Sequence, residues 1–265
     1  MELIISIIAG AVLTGITCSL VGSFVVRMNL SSLGFAMSHA AFAGAALGLL
    51  LSIEPLFVAV VFSTGVAVLL GPLTEKAKLP ANVILGIVFS LMISLGLIFL
   101  SILPQAAISS QALSILWGSI LSMTMETILR LLILTVVVVL IFFMFFKEFQ
   151  SIMFSRKLAE SSGINTKPFY YLILFLTGIT VAFSLKLVGG LLVFALMVNP
   201  ASSAYQFFYD MKKITIFSPV IGVLSCILGV AVSFLLDLPT GSSIAIVSSG
   251  FFALSVLISP KRRRK

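Results

Sequence analysis

Charge is scarce in this sequence: only 9% of its 265 residues are Asp, Glu, Lys or Arg, against 60% that are hydrophobic. A water-soluble fold of this length needs polar side chains to cover its surface, whereas lipid-facing surface can be as apolar as a core. The deficit excludes a soluble domain. Cysteine is scarcer still. Cys18 and Cys226 both lie inside long apolar runs, and two thiols cannot build a disulfide framework or a four-thiolate metal site. The pattern GxxxxGK[ST] is missing too, so the chain has no loop with which to cradle ATP phosphates, and any energy for work must come from another subunit or an ion gradient. The start, Met1-Glu2-Leu3, lacks the basic stretch of a cleaved signal peptide, and the apolar run behind it continues to Val26, which reads as a retained first helix.

What the chain has in abundance is apolar stretches of membrane-crossing length. Spans are expected at 3–26, 33–52, 56–72, 82–103, 124–146, 169–185, 188–207, 214–235 and 241–258, about nine in all, within bounds of eight to ten. Segment 104–123, with Trp117 and Gly118, reads as a short or re-entrant helix, and the spans flanking Lys186 are closely spaced. The fold class is therefore all-α, a polytopic transmembrane bundle.

Lysine and arginine collect in cytoplasmic loops. Here 14 of the 16 basic residues fall on one side of the alternating spans, from Arg27 through the Lys76, Lys147 and Lys212 loops to the tail Lys261-Arg262-Arg263-Arg264-Lys265. Glu2, Glu54, Glu126 and Asp237 lie toward the other side, as do Arg130 and Lys186. This predicts an outside amino terminus and a cytoplasmic carboxyl terminus. The net charge of +8 is then a product of topology, and the basic tail reads as an anchor at anionic headgroups rather than a nucleic-acid contact.

The one long loop, 147–167, reads as a cytoplasmic amphipathic helix with Phe149, Ile152, Met153, Leu158 and Ala159 on its apolar side, Gly163 ending it and Pro168 opening the next span. Such a helix either lies on lipid or docks a soluble partner.

At this point the chain resembles a known family, the membrane subunits of ABC importers for zinc, manganese and iron. Five matches carry the resemblance in order: Gly34-Phe35-Ala36-Met37-Ser38-His39-Ala40; Glu75-Lys76 with Leu85 to Ser90; Phe154 to Gly163; Val188 to Val193 with Asn199-Pro200-Ala201; and Leu236-Asp237-Leu238-Pro239-Thr240-Gly241. The resemblance implies a type II ABC importer-like architecture in which residues 1–265 form a single permease domain in the cell (inner) membrane. It implies pairing with a second copy, an extracytoplasmic substrate-binding protein above, and an ABC ATPase subunit docking beneath at 147–167 through Phe154, Arg156, Leu158, Ala159 and Gly163. ATP would act through that partner, the divalent metal would be cargo, and the chain would hold no permanent cofactor and no catalytic residue. One position departs from the pattern. The family's second-helix motif usually carries an aspartate four residues before its histidine, and Phe35 stands there.

The substrate pathway is accordingly expected to involve His39, Phe35, Ser38 and Asn199. His39 falls near the middle of its span, where an ionisable group is costly and usually faces the interior; it is either a transient metal ligand or a hydrogen-bonded link to a neighbouring helix. Asn199-Pro200 offers an amide and a freed carbonyl at membrane depth, or a simple kink. Met37 and Met197 are soft ligands or filler, Gly44 and Gly48 allow close helix approach, Glu126 and Arg130 form an i, i+4 pair, and Asp237 contacts a delivery protein or caps the helix after it. The competing reading is an autonomous ion-coupled secondary transporter, but no carboxylate falls near a span centre and no internal repeat is evident.

Overall fold

The computed structural model describes residues 2–103, 124–189 and 193–261; the expected short or re-entrant helix at 104–123 lies outside them. The described residues form helices joined by short links: α1 (Glu2–Arg27), α2 (Ser31–Leu50), α3 (Pro55–Ala77), α4 (Ala81–Ile102), α5 (Met125–Met144), α6 (Phe146–Phe154), α7 (Arg156–Ser161), α8 (Thr166–Val188), α9 (Val193–Phe207), α10 (Met211–Leu236) and α11 (Thr240–Ile258). Proline and capping chemistry set several starts. Pro55 opens α3, the Thr124 hydroxyl accepts from the Thr127 N–H ahead of α5, and the Asp210 carboxylate accepts from Lys212 N–H at 3.0 Å ahead of α10.

Among the described residues, eight helices are long and apolar enough to cross a bilayer. The expected span 188–207 is the exception. Helix α8 continues through Lys186 to Val188 and stops at Gly189, whose φ of 83° needs a residue without Cβ; the described residues of α9 number 15, a reach of about 22 Å against a hydrocarbon core of about 30 Å. Asp237 does not cap the helix after it, one of its two expected roles. It ends α10 in the left-handed conformation (φ 56°), and α11 begins behind Pro239 without a side-chain cap.

Helix α2 occupies the centre between α3 and α4. A Cβ on Gly44 would come within 2.5 Å of the Val58 carbonyl oxygen, and one on Gly48 within 2.9 Å of Pro55 Cα, so these glycines let the backbones of α2 and α3 touch. Helix α1 is joined to its neighbours by hydroxyl bonds: Thr17 to Thr135 of α5 at 2.7 Å, Ser218 of α10 to the Ser19 carbonyl at 2.8 Å, and Tyr205 of α9 to the Ser23 carbonyl at 3.2 Å.

The end of α1, α6, the α9–α10 link and the start of α10 surround a cavity of about 290 Å³ lined by Arg27, Gln150, Tyr205, Tyr209 and Asp210. Lys261 beyond α11 donates to the Phe208 carbonyl at 2.9 Å and to that of Tyr205, with its ammonium 3.9 Å from the Tyr209 ring centroid. At the other end Arg130 bonds Glu126 at 2.5 Å, the expected pair, and also Glu54 at 2.6 Å.

Candidate functional site

His39 lies in the middle of α2 with 2% of its surface exposed. Two phenylalanines close around it, and a third packs behind them. Its ring centroid is 5.0 Å from Phe35 one turn earlier and 4.6 Å from Phe89 of α4, at interplanar angles of 83° and 72°. Phe35 stacks on Phe89 at 4.4 Å and meets Phe194 of α9 edge-on at 5.5 Å. The spacing i, i+4 puts Phe35 and His39 on one helix face, and the packing of α4 and α9 against that face supplies the other two rings.

A neutral imidazole carries one N–H donor and one acceptor nitrogen. Both nitrogens of His39 are buried, and neither has a hydrogen-bond partner. Leaving a buried polar group unsatisfied costs about 1–3 kcal/mol, so the reading of His39 as a hydrogen-bonded interhelical link does not hold. Among the described residues no group of three or more His, Cys, Asp or Glu is placed to hold a metal ion. What the arrangement offers chemically is a lone nitrogen ligand inside an aromatic sleeve.

The other expected pathway residues are turned elsewhere. Ser38 spends its hydroxyl on the Gly34 carbonyl at 2.7 Å within its own helix. Asn199 donates to Ser248 and Ser249 of α11 at 3.1 and 2.9 Å. Met197 is fully buried, with its sulfur packed beside Gly34, a filler at the α2–α9 contact. Phe89 and Phe194, which complete the sleeve, were not singled out in the sequence, because no local pattern marks a ring that arrives from another helix.

The second candidate region is the segment between α5 and α8. One amphipathic helix was expected and two form. Ser155 breaks the segment with extended backbone (φ −162°, ψ 116°) and accepts the Leu158 N–H in its side chain, capping α7. The break turns the apolar side: Phe149, Ile152 and Ala159 are buried, while Phe154 and Leu158 are exposed at 78% and 57%. Leu158, expected on the apolar side with Phe149, Ile152, Met153 and Ala159, is exposed. Gly163, at φ 84°, ends the segment as expected. Arg156 ties it to α8, with Nε 3.0 Å from the Thr166 hydroxyl and the guanidinium 5.4 Å from the Tyr170 ring centroid. The Thr166 hydroxyl also donates to Glu160, and this bond, with the Arg156 charge beside it, holds the Glu160 carboxyl below its usual range.

Comparison with known sequences decides the lineage: the sequence model of the ABC 3 transport family matches residues 1–259. The chain belongs to the ABC 3 transport family. Among its relatives are the manganese transport system membrane protein MntC of Listeria monocytogenes, 29% identical over 95% of this chain and 89% of that protein, and the high-affinity zinc uptake system membrane protein ZnuB of Haemophilus influenzae, 29% identical over 96% and 97%. Among solved structures, PsaBC from Streptococcus pneumoniae in complex with Fab superposes with a TM-score of 0.89 at 25% identity, covering all of this chain and 94% of that one. As an ABC 3 family member the chain is a multi-pass membrane protein of the permease class, and ATP hydrolysis in such systems rests with a separate ATPase subunit.

Proposed function

We propose that this chain is the permease subunit of an ATP-driven importer for a divalent metal ion or its complex, and that His39 is the transient ligand on the pathway. The carrying observation is the pair of unpartnered, buried nitrogens on His39 in the central helix. A buried imidazole that costs stability is retained where it binds something, and neutral imidazole is a common metal ligand. Cargo reaching His39 must displace the rings of Phe35 and Phe89. The relatives named for manganese and zinc transport support the cargo class.

In this reading two copies of the chain pair, an extracytoplasmic binding protein delivers the metal at the end carrying Glu54, Glu126 and Asp237, and the carboxyl terminus is cytoplasmic. The ATPase docks against α6 and α7, where Phe154 and Leu158 are exposed on a segment outside the spans. ATP binding closes the ATPase pair, and α7, braced on α8 through Arg156, carries that motion into the helices as a rigid-body tilt. A secondary transporter would need a carboxylate at membrane depth; among the described acidic residues, those with described side chains (Glu54, Glu126, Glu148, Glu160, Asp210 and Asp237) lie in links or in first or last helical turns.

The test is metal uptake by cells lacking their own zinc and manganese importers, given the permease with its ATPase and binding protein. Wild type accumulates metal in an ATP-dependent way; His39→Ala reaches the membrane and does not. The double variant Phe154→Ala, Leu158→Ala folds and reaches the membrane but no longer retains the ATPase on purification. Full uptake by His39→Ala would remove His39 from the pathway, and failure of wild type to accumulate any metal with the complex assembled would remove the cargo assignment.

A further inference from the structure

The ligand set around His39 states more than the presence of a site; it states a preference. Resting on the metal-importer reading above, we propose that Phe35, Phe89 and Phe194 make the pathway selective for imidazole-seeking ions of the zinc class and against manganese.

Metals are sorted by the atoms that greet them. Imidazole nitrogen suits zinc, copper, iron and nickel, whereas carboxylate, carbonyl and water oxygens suit magnesium, calcium and manganese; affinity at a nitrogen site rises from manganese toward copper, with zinc well above manganese. At His39 the protein supplies nitrogen, and among the described residues no oxygen stands within hydrogen-bonding reach of either ring nitrogen. The rings of Phe35 and Phe89 flank it, Phe194 packs behind Phe35, the Ser38 hydroxyl is committed to its own backbone, and among the described residues no cluster of acidic or thiol groups stands in reserve. A ring face attracts a cation through its quadrupole but has no lone pair to put in place of a lost water. An ion entering the sleeve therefore sheds hydration for one imidazole bond. Zinc recovers more of that loss from nitrogen than manganese does.

Phe35 is the position on which the preference turns. It sits one turn from His39 on the same face, with ring centroids 5.0 Å apart, so a carboxylate there would stand beside the imidazole and offer the missing oxygen. Phe35 is thus a specificity-determining residue, acting by what it withholds.

The test uses the complete complex of permease, ATPase and binding protein in proteoliposomes, with zinc and manganese supplied together and their uptake ratio measured for wild type, Phe35→Asp and Phe35→Leu. Binding of manganese to the detergent-purified complex, read by its electron paramagnetic resonance signal, gives a measure independent of transport. Wild type is expected to favour zinc; Phe35→Asp lowers the zinc-to-manganese ratio by about tenfold, the low end of what altered surroundings cost a metal site, and quenches the manganese signal that wild type leaves free. Phe35→Leu keeps the wild-type ratio. Should Phe35→Asp not assemble, the wild-type ratio and resonance signal still decide. Wild type carrying manganese as readily as zinc overturns the inference while leaving the importer reading intact. A shift in Phe35→Leu as large as in Phe35→Asp overturns it as well, because ring size rather than ligand chemistry would then be at work. Uptake only of a preformed organic chelate overturns it too, and uptake of no metal in any form takes down both readings.

Discussion

The helix most thoroughly enclosed by protein is less apolar than one that faces outward. Of the residues in the span window of α2, 78% are buried; for α4 the figure is 28%. Yet α4 is a run of Val, Ile, Leu, Phe and Met, while α2 reads Ser-Ser-Leu-Gly-Phe-Ala-Met-Ser-His-Ala-Ala-Phe-Ala-Gly-Ala-Ala. In water the order would be reversed. Lipid tails are as apolar as leucine, so burial away from them brings no hydrophobic gain, and what rewards enclosure is close backbone approach through small residues and hydrogen bonds between helices. The centre of this protein is built from alanine, glycine and serine for that reason, and the lone histidine is tolerated there because the surroundings are protein.

The sharpest way to break the contrast is with glycine. A Cβ on Gly22 of α1 would fall 2.0 Å from the Met197 carbonyl oxygen of α9, whereas one on Gly86 of α4 meets nothing within 4 Å. Gly22→Leu is expected to cost more than the roughly 1–3 kcal/mol of ordinary overpacking and to abolish the monodisperse peak in detergent size-exclusion chromatography. Gly86→Ala should leave both the peak and the melting temperature unchanged. Equal tolerance at the two positions would show that α1 and α9 do not pack as described.

A smaller effect is expected at the rim. Arg130, bonded to Glu54 and Glu126, is 38% exposed in its side chain, and exposed ion pairs contribute about 0–1 kcal/mol and weaken with salt. Arg130→Gln should lower the melting temperature slightly at low ionic strength and not at all in high salt. The smallest effect concerns Glu160, whose folded-state carboxyl titrates below its ordinary range because it accepts from Thr166 beside Arg156. A depressed carboxyl contributes stability that is complete above the ordinary value and is lost as pH falls through the depressed one. Limited proteolysis of the 155–165 segment should therefore speed up only at acidic pH, and Thr166→Val should move that onset toward neutral.

Helix positions were legible because apolar length is a strong local signal, and a close helix approach on α2 was legible because Gly44 and Gly48 lie a turn apart, though not that α3 makes it. What depended on partners distant in the chain was not. Glu54 reaches Arg130 across 76 positions, and Phe89 and Phe194 reach the α2 face from 50 and more residues away, so no pattern around His39 announced the sleeve. The break at Ser155 was hidden for a different reason: a serine in an amphipathic run is compatible with a continuous helix, and only the capping bond to Leu158 N–H reveals the choice made. The family motif singled out His39 and the foreign residue Phe35; it carried no indication that Asn199 would turn to the serines of α11.

The sealed ring at position 39 also hands the experimenter a clock. The chain has a single histidine, and both of its nitrogens are shut behind aromatic walls. A histidine-selective acylating reagent has one residue to modify in this chain, and it can react only during the moments when the sleeve stands open. The rate of that modification, followed with and without nucleotide on the partner subunit, counts openings of the sleeve directly and needs no metal to do so.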